Sequence, residues 1–370
     1  MSLRVLVSTG EPSGDLHAAR VVTALRQRWP DAVIEAVGGP RLADAGAQVR
    51  WSNANLAAMG FVEILATLPA HLRLLRALRA GFRARAWDIV IVVDYPGFHL
   101  RVAEAARAAG IPVLWYIAPQ LWAWRPERAA RLAAAVDRLA VILPFETEFF
   151  AKVGVAATYV GHPLLDREPP PAREAARAAL DIAPTARTLA LFPGSRRGEV
   201  ERLWPAYRGA ARALLASGAA DRVVVATTPA GRYPEADGFD LVPDAHRLVL
   251  AAADAVLAKS GTTTLEAALA DVPMVVAYRT HPLTFRLIQR LVTVRWASLV
   301  NLVADREVVP EMMQDAVTAD ALAARIAPLL DRTSLETRTQ RAGLAEVRRR
   351  LGSRGASTRV AELVAEMVGR

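Results

Sequence analysis

Cysteine is absent from the 370 residues, which excludes disulfide scaffolds, thiolate zinc sites and cysteine nucleophiles. Lysine is nearly absent: only Lys152 and Lys259 occur, so arginine supplies all but two of the 46 cationic side chains. No uninterrupted apolar run approaches the ~18 to 20 residues that span a bilayer. The opening Met-Ser-Leu-Arg-Val-Leu-Val reaches Gly10 too soon for a secretory signal. These absences lead us to expect a cytoplasmic, non-spanning protein. The chain has no Gly-x-Gly-x-x-Gly fingerprint and no Gly-Lys-Ser/Thr of a Walker loop. It also lacks the Gly-x-Ser-x-Gly elbow of an α/β-hydrolase. Its six histidines (17, 71, 99, 162, 246 and 281) form no i, i+4 pair, and no Asp-x-Asp occurs. A bound metal is therefore not expected.

What is present is 53% hydrophobic and 22% charged, with a net charge of +9. That composition describes a globular chain and not a disordered one. The excess of arginine suits an anionic membrane surface or nucleic acid, although genome composition produces the same bias. With no helix-turn-helix, zinc-finger or aromatic RNA-binding signature, the membrane is the better partner.

Short apolar runs recur at Leu3–Val7, Asp88–Val93, Val113–Ile117 and Leu139–Leu143. They return at Thr188–Phe192, Arg222–Ala226, Ala255–Ala258 and Met274–Ala277. Each precedes a turn and a helical pattern, the rhythm of parallel sheets covered on both faces. Between the halves, Asp166-Arg-Glu-Pro-Pro-Pro-Ala172 contains three prolines that no helix interior or central strand accepts. The expected fold is α/β, with two Rossmann-like doubly wound domains facing across a cleft. Residues 1–168 form an N-terminal domain, 173–345 a C-terminal domain, and 346–370 an amphipathic tail.

Function in such folds lies at the carboxyl ends of strands. The first strand ends in Ser8-Thr-Gly-Glu-Pro-Ser-Gly-Asp15, either a ligand loop or an ordinary turn capped by Ser13 or Asp15, with a helix from about Leu16. Asp94 follows an apolar strand, either facing the cleft or capping the Tyr-Pro-Gly turn. In the second half, Phe192-Pro-Gly-Ser-Arg-Arg-Gly-Glu199 offers glycine, backbone amides and Arg196 to an anion. Lys259-Ser-Gly-Thr-Thr-Thr-Leu-Glu266 sets Ser260 and Thr262 at another helix start. Glu266 there either accepts sugar hydroxyls or offsets the helix dipole. Two such loops in one half suit a diphosphate ligand. Trp122 and Trp124 either stack on a sugar or acyl chain or fill a core. From Phe61 to Arg85 an apolar stripe (Phe61, Leu65, Leu68, Leu72, Leu75, Phe82) runs beside Arg73, Arg76, Arg79 and Arg83. Pro69 suits the first turn of such a helix. It is either a core-facing helix or a membrane-contacting one, the latter through Val62, Ile64, Leu65, Leu68, Leu72, Arg73 and Arg76.

Taken together, Gly10-Glu-Pro-Ser-Gly-Asp15, Met59-Gly-Phe-Val-Glu-Ile-Leu65, Tyr116-Ile-Ala-Pro-Gln-Leu-Trp-Ala-Trp-Arg125, Leu143-Pro-Phe-Glu146 and Val160-Gly-His-Pro163 resemble the lipid-A-disaccharide synthase family. The resemblance continues through Pro193-Gly-Ser-Arg196, Ser260-Gly-Thr-Thr-Thr-Leu-Glu266, Pro273-Met-Val-Val-Ala-Tyr-Arg279, Ser298-Leu-Val-Asn301 and Val309-Pro-Glu-Met-Met-Gln314. The blocks run in family order from residue 8 to about 315.

The resemblance implies a GT-B glycosyltransferase whose tail helix returns to the N-terminal domain. It implies transfer of 2,3-diacylglucosamine from UDP-2,3-diacylglucosamine to 2,3-diacylglucosamine 1-phosphate. The transfer is inverting, needs no cofactor or metal, and makes the β-1,6-linked lipid A disaccharide precursor of lipopolysaccharide. The 1–168 domain would then face acceptor and membrane, and the 173–345 domain would bind the UDP-sugar. Implied donor-site residues are Gly194, Ser195, Arg196, Ser260, Gly261, Thr262, Glu266, Asn301 and Gln314. Implied catalytic residues are Asp94, Glu11 and Ser13. Implied partners are the two sugars and an anionic membrane surface, without nucleic acid and with a homodimer as an open assembly. The protein would sit peripherally on the inner face of the inner membrane. Where the family often carries Asp-x-Pro-Asp-Phe-Asn, this chain has Asp94-Tyr-Pro-Gly-Phe-His99. Asp94 is thus the only acid of that loop, and His99 ranks below it as a base. Asn301 follows Leu-Val in place of the frequent Leu-Pro. A UDP-sugar epimerase of the same architecture, or a noncatalytic basic membrane- or nucleic-acid-binding protein, are the alternative readings.

Overall fold

Ile89-Val-Ile-Val-Val93 contains no polar residue, and all five side chains are buried. A strand of that kind needs helices over both of its faces. The computed structural model describes residues 2–54, 56, 61–123 and 128–369, with side chains at all of these except 61–66, 287 and 288. It divides into two units, one made of Met1–Arg167 with Ser353–Arg370, the other of Glu168–Gly352.

The first unit holds β1 (Arg4–Thr9), β2 (Val33–Gly38), β3 (Gln48–Ser52), β4 (Ile89–Val93), β5 (Val113–Tyr116), β6 (Arg138–Val141) and β7 (Ala157–Tyr159). They form one sheet in the order β3-β2-β1-β4-β5-β6-β7, parallel throughout. The second unit holds β8 (Thr188–Phe192), β9 (Arg222–Thr227), β10 (Asp240–Pro243), β11 (Ala255–Lys259), β12 (Met274–Tyr278) and β13 (Glu311–Met313). Its order is β10-β9-β8-β11-β12-β13, again all parallel. Each sheet is doubly wound, as the apolar rhythm requires. In each, the winding reverses beside the first strand, between β1 and β4 and between β8 and β11. Ligands bind at such switch points, beyond the strand ends.

All eight strands expected from apolar runs are present, with ends shifted by at most two residues. The strands not anticipated are β2, β3, β7, β10 and β13. Four of them are edge strands of the two sheets, and β3 and β10 bury only alternate side chains part-way.

The tail differs from its expected start. Glu346–Leu351 ends a helix of the second unit, Leu335–Leu351. Gly352 and Gly355, at φ 71° and 105°, break the chain in a region glycine enters freely. Only then does the helix Ala356–Val368 begin and return to the first unit. Val360, Leu363 and Val364 join the core formed by Leu3, Val21, Val22 and Leu25 on one face of the first sheet. The Asp166 carboxylate accepts the amides of Gly355 (2.7 Å), Ala356 (3.2 Å) and Ser357 (3.1 Å). These are the free donors that every helix start presents.

The helix Phe61–Arg83 is real, but Pro69 lies inside it and not in its first turn. Leu74, Leu75, Leu78 and Phe82 face the core on the other side of the first sheet, and Phe82 meets the Trp87 ring edge-on at 5.5 Å. Leu75 and Phe82 are therefore core residues, not part of an exposed stripe. Leu68 and Leu72 are 42% and 40% exposed, beside exposed Arg73, Arg76, Arg79 and Arg83. The side chains of Phe61, Val62, Ile64 and Leu65 lie outside the described residues. No helix among the described residues is long and apolar enough to cross a membrane.

Candidate functional site

At the first switch point, β1 runs into the helix Pro12–Arg28, four residues earlier than the sequence suggests. Neither Ser13 nor Asp15 caps it. Glu11 is the boundary residue and makes no side-chain cap. Asp15 is buried and caps a neighbour instead, accepting the amides of Gly39 at 2.7 Å and Arg41 at 3.1 Å. Glu11 and Ser13 are left exposed at the mouth of the turn.

Beside them, β4 ends in a paired left-handed turn, Asp94 at φ 49° and Tyr95 at φ 53°. Ile117, just past β5, also has φ 65°, a rare conformation for a β-branched residue. Such strain persists only where surrounding contacts over-determine it, and here they do. The Asp94 amide donates to the Tyr116 carbonyl (3.0 Å). The Tyr95 hydroxyl donates to the Leu56 carbonyl at 2.6 Å, and His71 Nε2 lies 3.0 Å from the Tyr95 hydroxyl oxygen. Gly10 is obligatory, because a Cβ there would lie 2.1 Å from the Tyr95 ring.

His99 is fully buried. Its Nδ1–H donates to the Asp94 carbonyl at 2.6 Å, so Nε2 accepts the Ser8 hydroxyl at 3.0 Å. Burial pushes its pKa down to about 4. It is a neutral strut holding the turn that presents Asp94, and no free base. The Asp94 carboxyl is pushed above the ordinary range, chiefly by burial. The Tyr95 amide opposes this and the nearby Glu11 charge adds to it. A half-buried carboxylate with raised proton affinity at a strand end suits proton abstraction.

The second switch point forms a cavity of about 230 Å³. Gly194, Ser195, Arg196, Ser260, Gly261 and Thr262, all expected from sequence, line it together. Gly194 (φ 128°) makes the turn after β8. Arg196 reaches into solvent, 71% exposed, with its guanidinium 4.0 Å from the Glu199 carboxylate. Six lining residues escaped the sequence reading, Phe192, Glu199, Ala226, His246, Lys259 and Thr263, and two of them form a charged pair. Glu199 accepts the amides of Ser195 (3.1 Å) and Arg196 (3.3 Å) and pairs with Lys259 at 3.0 Å. Burial opposes the Glu199 charge, but Lys259 and the two amides outweigh it and lower the pKa. A carboxylate thus rests on the amides expected to meet phosphate, with a lysine ready to retain it. The placement of Glu199 one turn into a helix, opposite one of only two lysines, was the available signal.

The remaining donor candidates do not reach this cavity. Glu266 lies half-buried in the helix Thr262–Leu269, off the lining. Asn301 is wholly buried and saturated. Its Nδ2 donates to the Val309 carbonyl and Glu311, and its Oδ1 accepts the amides of Val308 and Val309. Gln314 is clamped to both the amide and the carbonyl of Thr280. Glu311 also takes the amides of Ala297 and Ser298, each at 2.8 Å, and Ser260 Oγ donates to the Ala297 carbonyl at 2.7 Å. Asn301 therefore holds the 297–311 clasp behind the Ser260 loop, in place of direct ligand contact. A buried amide with four partners has nothing left to offer.

Trp122 is likewise a core residue, its Nε1 donating to buried Glu146 at 2.9 Å. Trp124 lies outside the described residues. Among the described residues, no three His, Cys, Asp or Glu side chains gather to hold a metal ion.

Similarity to known proteins separates fold from family. The chain resembles the structure of Acinetobacter baumannii MurG with a TM-score of 0.60 at 16% identity, covering 99% of this chain and 100% of that one. Arabidopsis thaliana UGT89C1 complexed with UDP gives 0.66 at 16% identity, over 99% and 100%. A UDP-GlcNAc 2-epimerase from Methanocaldococcus jannaschii gives 0.61 at 11%, over 99% and 100%. These likenesses establish a GT-B fold and nothing about the reaction. Sequence relatives are more specific. The lipid-A-disaccharide synthase of Geobacter metallireducens is 40% identical over 380 residues, 99% of this chain and 98% of the relative. That of Pseudomonas aeruginosa is 40% identical over 379 residues, covering 100% and 99%. The lipid-A-disaccharide synthetase family model matches residues 5–367, and with that span the chain belongs to the lipid-A-disaccharide synthetase family.

Proposed function

We propose that this chain is a lipid-A-disaccharide synthase. It transfers 2,3-diacylglucosamine from its UDP derivative to the 6-hydroxyl of 2,3-diacylglucosamine 1-phosphate and releases UDP. The observation that carries the reading is a full-length family match at 40% identity. Of the alternatives, an epimerase shares only the fold, and a noncatalytic basic protein would have no use for two furnished switch points.

In this reading, Gly194, Ser195, Arg196, Ser260, Gly261 and Thr262 hold the UDP moiety. Charge grows on the β-phosphate as the bond to the sugar breaks. Aimed amides and Arg196 stabilise that charge more in the transition state than in the ground state. Diphosphate displaces Glu199 from the Ser195 and Arg196 amides, and Lys259 keeps the carboxylate paired as it moves. Asp94 takes the acceptor proton as the hydroxyl attacks. Glu11, on the neighbouring turn after β1, adds to the proton affinity that burial gives Asp94, and Ser13 offers a hydroxyl from that turn. Exposed Leu68, Leu72, Arg73 and Arg76 lie on an anionic membrane, from which both lipid substrates are drawn. The setting proposed is peripheral, on the cytoplasmic face, and a homodimer is the assembly to test.

Incubation of the protein with both diacylated sugars, followed by mass spectrometry, should yield the disaccharide phosphate. Asp94→Asn should lower turnover by ~10²- to 10⁴-fold, the range of general-base loss, with UDP affinity retained by calorimetry. A folded variant turning over at the wild-type rate under saturating substrates removes the assignment.

A further inference from the structure

Behind the Asp94–Tyr95 turn, the first unit contains a cavity of about 470 Å³. That lies within the range of small-molecule sites. Leu100 and Leu121 give its floor an accessible apolar surface, backed by the buried core residues Trp115 and Leu132. Trp115 is the residue before Tyr116, whose carbonyl holds the Asp94 amide, so floor and catalytic turn share one strand end. The rim is cationic, with Arg101, Arg128 and Arg131. Arg131 is neutralised by a two-pronged pair with Glu104, at 2.6 and 3.0 Å. Arg101 and Arg128 are exposed and form no ion pair among the described residues. An apolar floor under two uncompensated guanidinium groups fits an amphiphile with an anionic head.

Gly97 makes the opening. It lines the cavity, and a Cβ placed there meets no atom within 4 Å. Its φ is not positive, so no backbone requirement explains the glycine. The missing side chain simply leaves space at the start of the helix Pro96–Ala108, two residues beyond Tyr95.

We infer that this cavity seats the acceptor, with one fatty acyl chain against Leu100 and Leu121 and the sugar phosphate on Arg101 and Arg128. The inference rests on the proposed function and names the acceptor subsite for it. Acyl burial and phosphate pairing would hold the sugar beside Asp94, giving the orientation that transfer requires.

The test is equilibrium binding of 2,3-diacylglucosamine 1-phosphate in detergent micelles, measured by calorimetry on the full chain. Gly97→Leu puts a side chain into the opening from a Cβ that meets no atom within 4 Å, and should weaken the long-chain ligand by about tenfold or more, since each buried methylene matters. An acetylated analogue should bind wild type and variant alike. The double variant Arg101→Ala with Arg128→Ala should weaken the phosphate by at least about tenfold, the effect of losing charged hydrogen bonds. The dephosphorylated sugar should be unaffected by it. Wild-type affinity in both variants overturns the inference, and so does equal weakening of phosphorylated and dephosphorylated ligands by the arginine change. Because binding is read without turnover, a wild-type protein that binds this ligand and makes no disaccharide refutes the function and leaves the cavity standing.

Discussion

Burial of three histidines makes stability depend on acid. His99 and His17 are pushed down to about 4 and His162 to about 3, each chiefly by desolvation. Between pH 6.5 and about 4, the unfolded chain binds protons at these positions that the folded chain refuses. Stability therefore falls as pH drops through that window. Glu146 acts oppositely. Burial raises it to about 7 against the pull of the Leu143 and Ile142 amides and Trp122, so its folded form gains protons, and stability, as pH falls towards 4.5. Asp94, also raised by burial, acts with Glu146, and the three histidines against these two carboxyls leave net acid destabilisation. His99→Asn keeps a donor for the Asp94 carbonyl and removes one titrating ring. The drop in melting temperature between pH 7 and pH 5 should be smaller in this variant than in wild type, with an equal drop refuting the strut. At this scale the position of Asp94 at a strand end was legible in the sequence, because a carboxylate directly after five apolar residues has few other destinations. It was misleading about Asn301, because an amide in a motif looks the same whether it meets a ligand or a carbonyl. Only its four partners decide.

The loops after β1, β4, β8 and β11 could be read from sequence because glycine, hydroxyl and acidic residues interrupt β-branched runs there. Edge strands were less legible. Gln48–Ser52 and Asp240–Pro243 leave every side chain at least partly in contact with water, so their patterns resemble loops. The helix Phe61–Arg83 defeated a single-face description for a different reason. Its later turns bury Leu74, Leu75, Leu78 and Phe82, while Leu68, Leu72 and the arginines stay outside. One helix thus serves core and surface on adjoining arcs, and a stripe drawn at fixed spacing crosses from one to the other. Charge on the outer arc predicts binding to anionic vesicles, at ~1 kcal/mol per arginine near the surface. Replacing Arg73, Arg76 and Arg79 with serine should reduce sedimentation with such vesicles at low salt and leave the melting temperature nearly unchanged, since all three are exposed. Undiminished sedimentation would count against membrane contact through this helix.

Across the whole molecule, the chain leaves the first unit after Arg167 and re-enters it at Ser353. Asp166 joins the two passages, since its carboxylate caps the returning helix, and Arg359 ties that helix back to the Val160 carbonyl at 2.7 Å. Asp166→Ala strands three amides and should cost about 1–2 kcal/mol, the scale of a lost cap. Faster amide exchange across 356–368, with exchange in the second unit unchanged, is the expected signature. Uniform exchange would show that the cap is dispensable.

That second passage also sets an order of events during synthesis. The 185 residues from Glu168 to Gly352 emerge before the helix that completes the first unit. At about 5–20 residues per second, their translation occupies roughly ten to forty seconds. Through that interval Val21, Val22 and Leu25 lack the Val360 and Val364 that cover them in the finished core. The second unit, uninterrupted in sequence, is free to fold first, and the nascent first unit waits with an apolar helix face open to chaperones.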